Sequence, residues 1–502
     1  MGSPTGFSQR RSPPSAGGDP GFPLTPKVNL LSNTLYSGIA NASSVFLLLV
    51  LVFAGRFLGV EEFGKFTFAL ALVTTVSLLS DFGVTTLVNR TVARNPEQAD
   101  HHFGNLTTLK VVLSSVAILI SIGAVFLIRP ERDVRFVVCV LSLAAALKSL
   151  KMVPITFFQA LERFDLNAFS YVFHNFGFFL FGTIALWYGT GLATFVCLFA
   201  AFKALDTAIS YYLARRVIGK TSPGFDFNFM KRLQIEALPL GMYVLVNEIY
   251  SYADTILLSV MRSDVEVGWY NGAYKIFEGL SVFPLILSQA MSPQLSRLYK
   301  TEVAAHKALA ARTIKFGAIA AVLVLLSGIT IGKDLILLLF GPAYLESVPV
   351  LDILMFTFFF VFLNMIFQMI LITIDRQNVM PWMGLAGFGT IIIACLFLIP
   401  LYGHLGAAMA FLASECILFC VGIFYLYRFC FKSWFLWPAT KPILSGILIL
   451  GAFSVFQVEI QFSHVFVIVP SYLILLYLIH SFDEDELGFL RRIIAPDRFK
   501  QG

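Results

Sequence analysis

Long stretches of apolar residues with few or no charges recur along the chain from residue 35 to residue 481. A helix of about 20 apolar residues is long enough to cross the hydrocarbon core of a bilayer. Only 13% of the residues are charged, about half the share found in an average soluble domain. The sequence therefore predicts an all-α integral membrane protein. Its fourteen candidate spans are 35–55, 66–88, 106–128, 134–160, 169–187, 191–213, 235–260, 269–296, 313–332, 348–374, 379–400, 404–427, 438–457 and 464–481.

The lysines and arginines are distributed unevenly among the predicted loops. With the N-terminus in the cytoplasm, most of the 36 Lys and Arg residues fall in the tails and in the loops on that side. Positive residues favour the cytoplasmic side, so the distribution favours an even number of spans with both termini cytoplasmic. Residues 1–33, rich in Pro, Gly and Ser, are expected to form a disordered cytoplasmic tail. Residues 483–502 are expected to form a second one.

Two segments of the chain resemble each other. The sequence FGKFTFALA at 63–71 aligns with VGWYNGAYK at 267–275, and each segment opens the second span of a group of six. Three aligned positions carry the similarity: Gly64 with Gly268, Phe66 with Tyr270, and Ala69 with Ala273. The pattern predicts a parallel internal repeat. Two repeated bundles that rock against each other, with the substrate between them, are typical of transporters.

The repeat divides the chain into five predicted parts. Two are the tails, and the other three lie within the membrane. These are an N-terminal six-helix lobe with a linker at 34–234, a C-terminal six-helix lobe at 235–432, and two appended helices at 433–482.

Lysines within the predicted spans suggest a site for an anion. An ionisable group near the bilayer centre costs about 2.5–3.5 kcal/mol on insertion scales, so such groups usually face inward and are paired. Lys148 and Lys151 share one face of the fourth span and repel each other. They therefore predict an anionic partner, or else pairing with acids on other helices or with lipid headgroups. In the sixth span, Lys203 lies three residues before an aspartate, Asp206, that is placed to neutralise it.

A second group of charges lies in the seventh and eighth spans. Asp254 and Lys275 should both lie about 9 Å inside the outer boundary of the membrane. They are placed to pair across the hairpin, which would leave Glu278 or Glu248 free for another cation. Alternatively, Lys275 faces the cavity and Glu278 tunes it.

Sequence motifs argue against an enzyme. The chain has no P-loop, no H-E-x-x-H, no G-x-S-x-G and no G-x-G-x-x-G, so we expect no cofactor. Its six cysteines form no C-x-x-C pair, and we expect neither a metal site nor a disulfide framework. Its basic residues are spread over the loops, so no nucleic-acid partner is expected. Transport would then draw on an ion gradient, the membrane potential or the substrate gradient.

The sequence GWYNGAYKIFEGLSVFPLILSQAMSPQLSRLY at 268–299 carries a family resemblance, as do DFGVTTLVNRTVARNP at 81–96 and FGPAYLESVPVLDIL at 340–354. These segments resemble the polysaccharide transporter family, the Wzx-type flippases for lipid-linked oligosaccharides. That family belongs to the multidrug/oligosaccharidyl-lipid/polysaccharide exporter superfamily. The resemblance implies two six-helix lobes in a V around a central cavity.

The resemblance also implies a substrate and a location. The substrate would be an undecaprenyl-diphosphate-linked oligosaccharide, such as an O-antigen, exopolysaccharide or capsule repeat unit, crossing the bacterial cytoplasmic membrane. The expected partners are membrane lipid, an H⁺ or Na⁺ counter-ion, and the machinery of polymerisation and chain-length control. A cationic cavity is typical of the family, and the candidates to line it are Lys148, Lys151, Lys203 and Lys275. On physical grounds alone, the candidates for ion coupling or charge pairing are Asp254, Glu248 and Glu278.

Other function classes remain open at this point. A cation-coupled multidrug antiporter of the same superfamily would favour an acidic cavity over lysines within the membrane. A polymerase or ligase of polysaccharide assembly usually carries a long external loop, and the predicted external loops are short. A scaffold protein of the export machinery is the remaining alternative.

Overall fold

The chain folds into a bundle of long α-helices, with no strand among the residues that the structure describes. The structure is a computed structural model, and it describes residues 30–95, 97, 99–219, 224–431, 436–455, 464–482 and 486. Most of the predicted N-terminal tail and nearly all of the C-terminal tail lie outside these residues. The all-α membrane fold expected from the sequence is confirmed.

Eight helices form the first half of the bundle, which we call the N-lobe. They are α1 (Leu30–Ala42), α2 (Ser44–Leu58), α3 (Val60–Ser77), α4 (Val84–Arg94), α5 (Ala99–Ile128), α6 (Arg132–Ala160), α7 (Phe164–Trp187) and α8 (Gly191–Ile218).

Seven helices form the second half, the C-lobe, and two more pack beside it against α12. The seven are α9 (Phe227–Met261), α10 (Asp264–Leu280), α11 (Val282–Thr301), α12 (Val303–Leu339), α13 (Ser347–Thr373), α14 (Met380–Tyr402) and α15 (His404–Phe429), and the appended pair is α16 (Trp437–Val455) and α17 (Val465–Leu478).

Each of the fourteen predicted spans coincides with one helix or with a pair of consecutive helices. Ten helical segments of the described chain are long and apolar enough to cross a membrane. The total of fourteen spans stays a prediction, as do the lobe boundaries. Several helices begin before their predicted spans: α9 begins at Phe227 rather than near 235, and α12 at Val303 rather than near 313. The Asp226 side chain caps α9 by accepting a hydrogen bond of 2.9 Å from the Phe229 backbone.

The second span of each lobe is broken at the same aligned position. Helix α3 ends at Ser77, and Ser281 separates α10 from α11; these serines have the same spacing as Gly64 and Gly268. In the N-lobe a 3-10 turn follows, and then Phe82 and Gly83 adopt positive φ angles of 40° and 77°.

An ion pair lies beside this break. Asp81 pairs with Lys110, which is only 1% exposed. Lys110 lies on α5, within the predicted span 106–128.

The repeat glycines meet where α3 crosses α10. A Cβ atom added at Gly64 would collide with the Asp264 carbonyl, and one added at Gly268 would collide with the Val60 carbonyl. Val60 aligns with Asp264 in the repeat, so the two contacts exchange under a pseudo-twofold rotation. Only glycine allows two backbones to approach so closely. The alignment found in the sequence is thus a reciprocal contact between the lobes.

The lobes touch at both ends of the bundle. We call the end with the α2–α3 and α9–α10 turns the hairpin end, and the end with the α8–α9 connection the linker end. At the hairpin end, Arg129, which directly follows α5, pairs with Asp264 of α10. At the linker end, the Asp226 backbone N–H donates to Asn105 Oδ1 over 2.7 Å. The first part of α9 is therefore fastened to the N-lobe, while its later part packs against α14 and α15.

Candidate functional site

A cavity of about 220 Å³ lies between the lobes. It is bounded by α3 of the N-lobe and by α9 and α10 of the C-lobe. Its lining residues are Thr67, Leu70, Ala71, Glu248, Ser251, Tyr252, Thr255, Asn271, Tyr274, Lys275 and Glu278. Three of the seven candidate site residues, Glu248, Lys275 and Glu278, are thus brought together at one place between the lobes.

Lys275 forms an ion pair on its own helix. Its Nζ lies 2.6 Å from Glu278 Oε2, and the side chains are 11% and 50% exposed. Asp254 does not pair with Lys275, contrary to the expectation from depth. It is 2% exposed and accepts a hydrogen bond of 2.5 Å from the Tyr270 hydroxyl, while its other oxygen lies 2.5 Å from the Thr255 backbone nitrogen. Tyr270 lies nearer the α9–α10 turn than Lys275 does. It is therefore Tyr270, and not Lys275, that lies beside Asp254.

The other three candidate lysines form a separate cluster inside the N-lobe. Lys151 Nζ lies 2.6 Å from Asp206 Oδ2 and 4.2 Å from the centre of the Tyr171 ring. The expected pairing of Asp206 with Lys203 is therefore replaced by a pair between α6 and α8. Ser170 of α7 donates a hydrogen bond of 2.7 Å to the other oxygen of Asp206.

The remaining lysines of the cluster form no salt bridge with a described residue. Lys148 is exposed, and Lys203 is half-buried with its Nζ 5.5 Å from the Phe199 ring centre. Both are close enough to Lys151 to repel it. Within the described residues, Asp206 is the one carboxylate in salt-bridge contact with this cluster. Three lysines thus share one carboxylate. None of the three lysines lines the inter-lobe cavity.

A larger cavity, of about 610 Å³, lies inside the C-lobe between α9, α13, α14 and α15. Glu415 lies at its wall and is 5% exposed. Its carboxylate accepts hydrogen bonds of 2.6 Å from the Tyr250 hydroxyl and 2.7 Å from the Asn364 amide. Ser251 of α9 lines both this cavity and the inter-lobe cavity.

Sequence reasoning missed several members of these sites. Glu415 was recognisable as an acid within a span, but nothing in its local sequence identified Tyr250 and Asn364 as its partners. His174 also went unnoticed. It is 1% exposed, and its Nδ1 lies 4.0 Å from Asp206 Oδ2. A lone histidine or asparagine in an apolar run carries no signal of its partner, because the partner lies on another helix.

Comparisons with known proteins identify the family. A family profile described as polysaccharide biosynthesis protein matches residues 30–299, more than half of the 502 residues. The chain is 22% identical over 407 residues to the capsular polysaccharide biosynthesis protein CapF of Staphylococcus aureus, covering 80% of this chain and 99% of that protein. It is 24% identical over 408 residues to a protein of Escherichia coli strain K12 named "Putative O-antigen transporter", covering 78% of this chain and 95% of that protein.

A solved structure shares the fold. The lipid II flippase MurJ, in an inward closed conformation, superposes with a TM-score of 0.73 at 13% identity, covering 93% of this chain and 100% of that chain. At this identity the likeness concerns the fold alone. Together with the profile match, it agrees with the resemblance seen in the sequence. The chain therefore belongs to the polysaccharide biosynthesis protein family, and ten helical segments of its described part are long and apolar enough to cross a membrane.

Proposed function

We propose that this protein is a transporter of the multidrug/oligosaccharidyl-lipid/polysaccharide exporter superfamily and that it moves an undecaprenyl-diphosphate-linked oligosaccharide across the bacterial cytoplasmic membrane by alternating access. The linker end, with both termini, would face the cytoplasm, as the positive residues favour. The observation that carries the proposal is the net positive cluster inside the N-lobe. Its three lysines, Lys148, Lys151 and Lys203, face one carboxylate, Asp206. A diphosphate supplies the missing negative charge, whereas a neutral glycan would leave the lysines unpaired.

Lys275 would provide a cation on the opposite lobe. Its present partner, Glu278, is half-exposed, so water can solvate this carboxylate once the lysine leaves it. Lys275 can then exchange Glu278 for a phosphate oxygen without leaving a buried charge unpaired. The same exchange would free Glu278, beside Glu248, to take up an H⁺ or Na⁺ ion. Asp254 is a weaker candidate for that ion, because Tyr270 and Thr255 already occupy its oxygens.

A second function has one specific observation in its favour. Two carboxylates, Glu248 and Glu278, line the inter-lobe cavity against a single lysine, Lys275. An antiporter of cationic compounds would have this charge balance in its central cavity. In that case, substitution of Glu248 or Glu278 would abolish resistance to cationic compounds, while substitution of the N-lobe lysines would not change it.

The test of the main proposal replaces lysines by glutamine. Lys148→Gln, Lys203→Gln and Lys275→Gln should each reduce glycan export at least about tenfold, because a hydrogen bond to a charged group contributes roughly 1.5–3 kcal/mol. The assay measures surface glycan in cells that lack their own flippase, normalised to the amount of transporter in the membrane.

Lys65→Gln is a matched control. Like Lys275, Lys65 is 11% exposed and pairs with a glutamate three residues away, Glu62, over 2.8 Å, but it lies outside both cavities. Export by Lys65→Gln should stay near wild type. Full export by all three test variants, at normal protein levels, would contradict the assignment of a diphosphate to these lysines.

A further inference from the structure

The cavity inside the C-lobe has the size and lining of a ligand site. Its volume of about 610 Å³ lies within the range of about 300–1,000 Å³ typical of small-molecule pockets. Four methionines contribute to its wall, namely Met242, Met365, Met380 and Met383. Methionine side chains are flexible and polarisable, and they adapt to apolar ligands of different shapes. The wall therefore favours an apolar body.

The polar groups at Glu415 include an acceptor without a donor. Glu415 receives two neutral donors, the Tyr250 hydroxyl and the Asn364 amide. Among the described residues, no lysine, arginine or histidine forms an ion pair with it. Asn364 is only 2% exposed. Its amide oxygen is buried and accepts no hydrogen bond from any described residue. A buried acceptor without a donor costs free energy, so Glu415 and the Asn364 side-chain oxygen can take a further donor and a positive charge.

We propose that the C-lobe cavity binds a lipophilic ammonium compound, with its ammonium group between Glu415 and the Asn364 side-chain oxygen and its apolar body among the methionines. An ammonium group has three donors and one positive charge, which supplies both deficits at once. A hydrocarbon chain, such as a lipid tail, fits the wall. It would, however, remove water from the carboxylate and from the amide oxygen, and it has no hydrogen-bond donor to take the place of that water. The polar groups therefore discriminate against that occupant.

The cavity has a mouth through which such a compound can enter. Met242 and Leu385, 58% and 48% exposed, lie at its rim on α9 and α14. The N-lobe lysines and Lys275 take no part in its lining. Ligand binding here can therefore be measured separately from the diphosphate site.

The experiment compares two probes of nearly equal shape with the purified full-length protein in detergent. One is 4,4-diphenylbutylammonium, and the other is the neutral alcohol 4,4-diphenylbutanol. Their affinities are measured by isothermal titration calorimetry. We expect the ammonium compound to bind roughly tenfold more tightly, about the effect of one charge-assisted hydrogen bond. Ammonium chloride at the same concentration should not bind measurably, because it lacks the apolar body.

Three variants localise the effect. Glu415→Gln keeps the shape of the side chain but removes its charge, so it should bring the two affinities together. Gly384→Leu should fill the cavity and abolish binding of both probes, because a Cβ at this wall position would have open space up to Val246, 3.8 Å away. Gly389→Leu is the matched control on the same helix. A Cβ there has no neighbour within 4 Å, and the residue does not line the cavity, so binding should be retained.

Glycan export is measured for the same variants. Probe binding tests this inference and glycan export tests the proposed function, and neither result depends on the other. Equal affinity of wild type for the two probes would overturn the proposal. It would also be overturned by undiminished binding to Gly384→Leu, by an unchanged preference in Glu415→Gln, or by binding of ammonium chloride alone. Circular dichroism and the elution volume on size-exclusion chromatography confirm that each variant is folded before it is compared.

Discussion

The reciprocal contact between α3 and α10 should be highly sensitive to a single methyl group. In Gly268→Ala, the added Cβ would lie 2.7 Å from Val60 Cγ1 and closer still to the Val60 carbonyl oxygen. The side chain can rotate away, but the carbonyl belongs to the backbone and cannot. Carbon atoms normally approach to about 3.5–4.0 Å, so the two helices must separate by roughly 1 Å at this crossing.

The free energy of this overpacking sets the expected effect. Inserting a methyl group into a closely packed site costs about 1–3 kcal/mol. The penalty applies to the state in which the hairpin end is closed and is absent once the lobes have separated there. The ratio of open to closed molecules should therefore rise by about 5- to 150-fold.

Thiol labelling from outside the cell measures this shift. Thr67→Cys places a thiol in the inter-lobe cavity, and labelling of the native cysteines is subtracted with the same variant lacking this change. A membrane-impermeant maleimide should react faster with Thr67→Cys when Gly268→Ala is also present. Gly389→Ala is the control, since a Cβ there meets nothing within 4 Å. Equal labelling rates of Thr67→Cys with and without Gly268→Ala would refute the reasoning that this crossing closes the hairpin end.

Two further predictions concern ion pairs. Lys110→Met should lower stability by roughly 1 kcal/mol, since the Asp81 carboxylate loses its partner but is 35% exposed to solvent. Adding Asp81→Asn should restore part of the loss; thermal unfolding in detergent tests both, and no recovery would contradict the pairing. Arg129→Gln removes the contact with Asp264 across the lobes and should raise the labelling of Thr67→Cys less than Gly268→Ala does, because a partly exposed pair contributes only about 1 kcal/mol. An Arg129→Gln effect larger than that of Gly268→Ala would argue that charge, rather than backbone packing, closes this end.

The sequence was sufficient for the helical fold, because apolar runs bounded by charges and turn residues mark each helix. It was also sufficient for the repeat, since glycine at positions 64 and 268 has few substitutes where backbones touch. The contact between the two glycines could not be predicted. An alignment shows that two positions are equivalent, but not that they are close in space.

The partners of the charged residues could be predicted only in part. Depth along a span is readable from residue counts, but the rotation of each helix about its axis is not. A helix that is apolar on all sides has no polar face to reveal that rotation. The sequence therefore assigned Asp206 to Lys203 on its own helix, whereas the aspartate pairs with Lys151 on α6. Asp254 was misassigned for a different reason: α10 begins at Asp264, before the predicted span at 269, so Lys275 lies farther from the α9–α10 turn than the sequence indicated.

The crossing at Gly64 and Gly268 resembles the interface of a homodimer that has been joined into one polypeptide. Because it is made of main-chain atoms, it imposes no requirement on side chains elsewhere in either half. The halves are therefore free to acquire different chemistry, as where Lys275 in one half corresponds to Ala71 in the other, and both line the same cavity. A dimer of two identical chains would present every charge twice. Two fused halves can instead bind a molecule that has a charged group at one place and a sugar chain at another. They keep the pseudo-twofold arrangement that allows both halves to move in the same way.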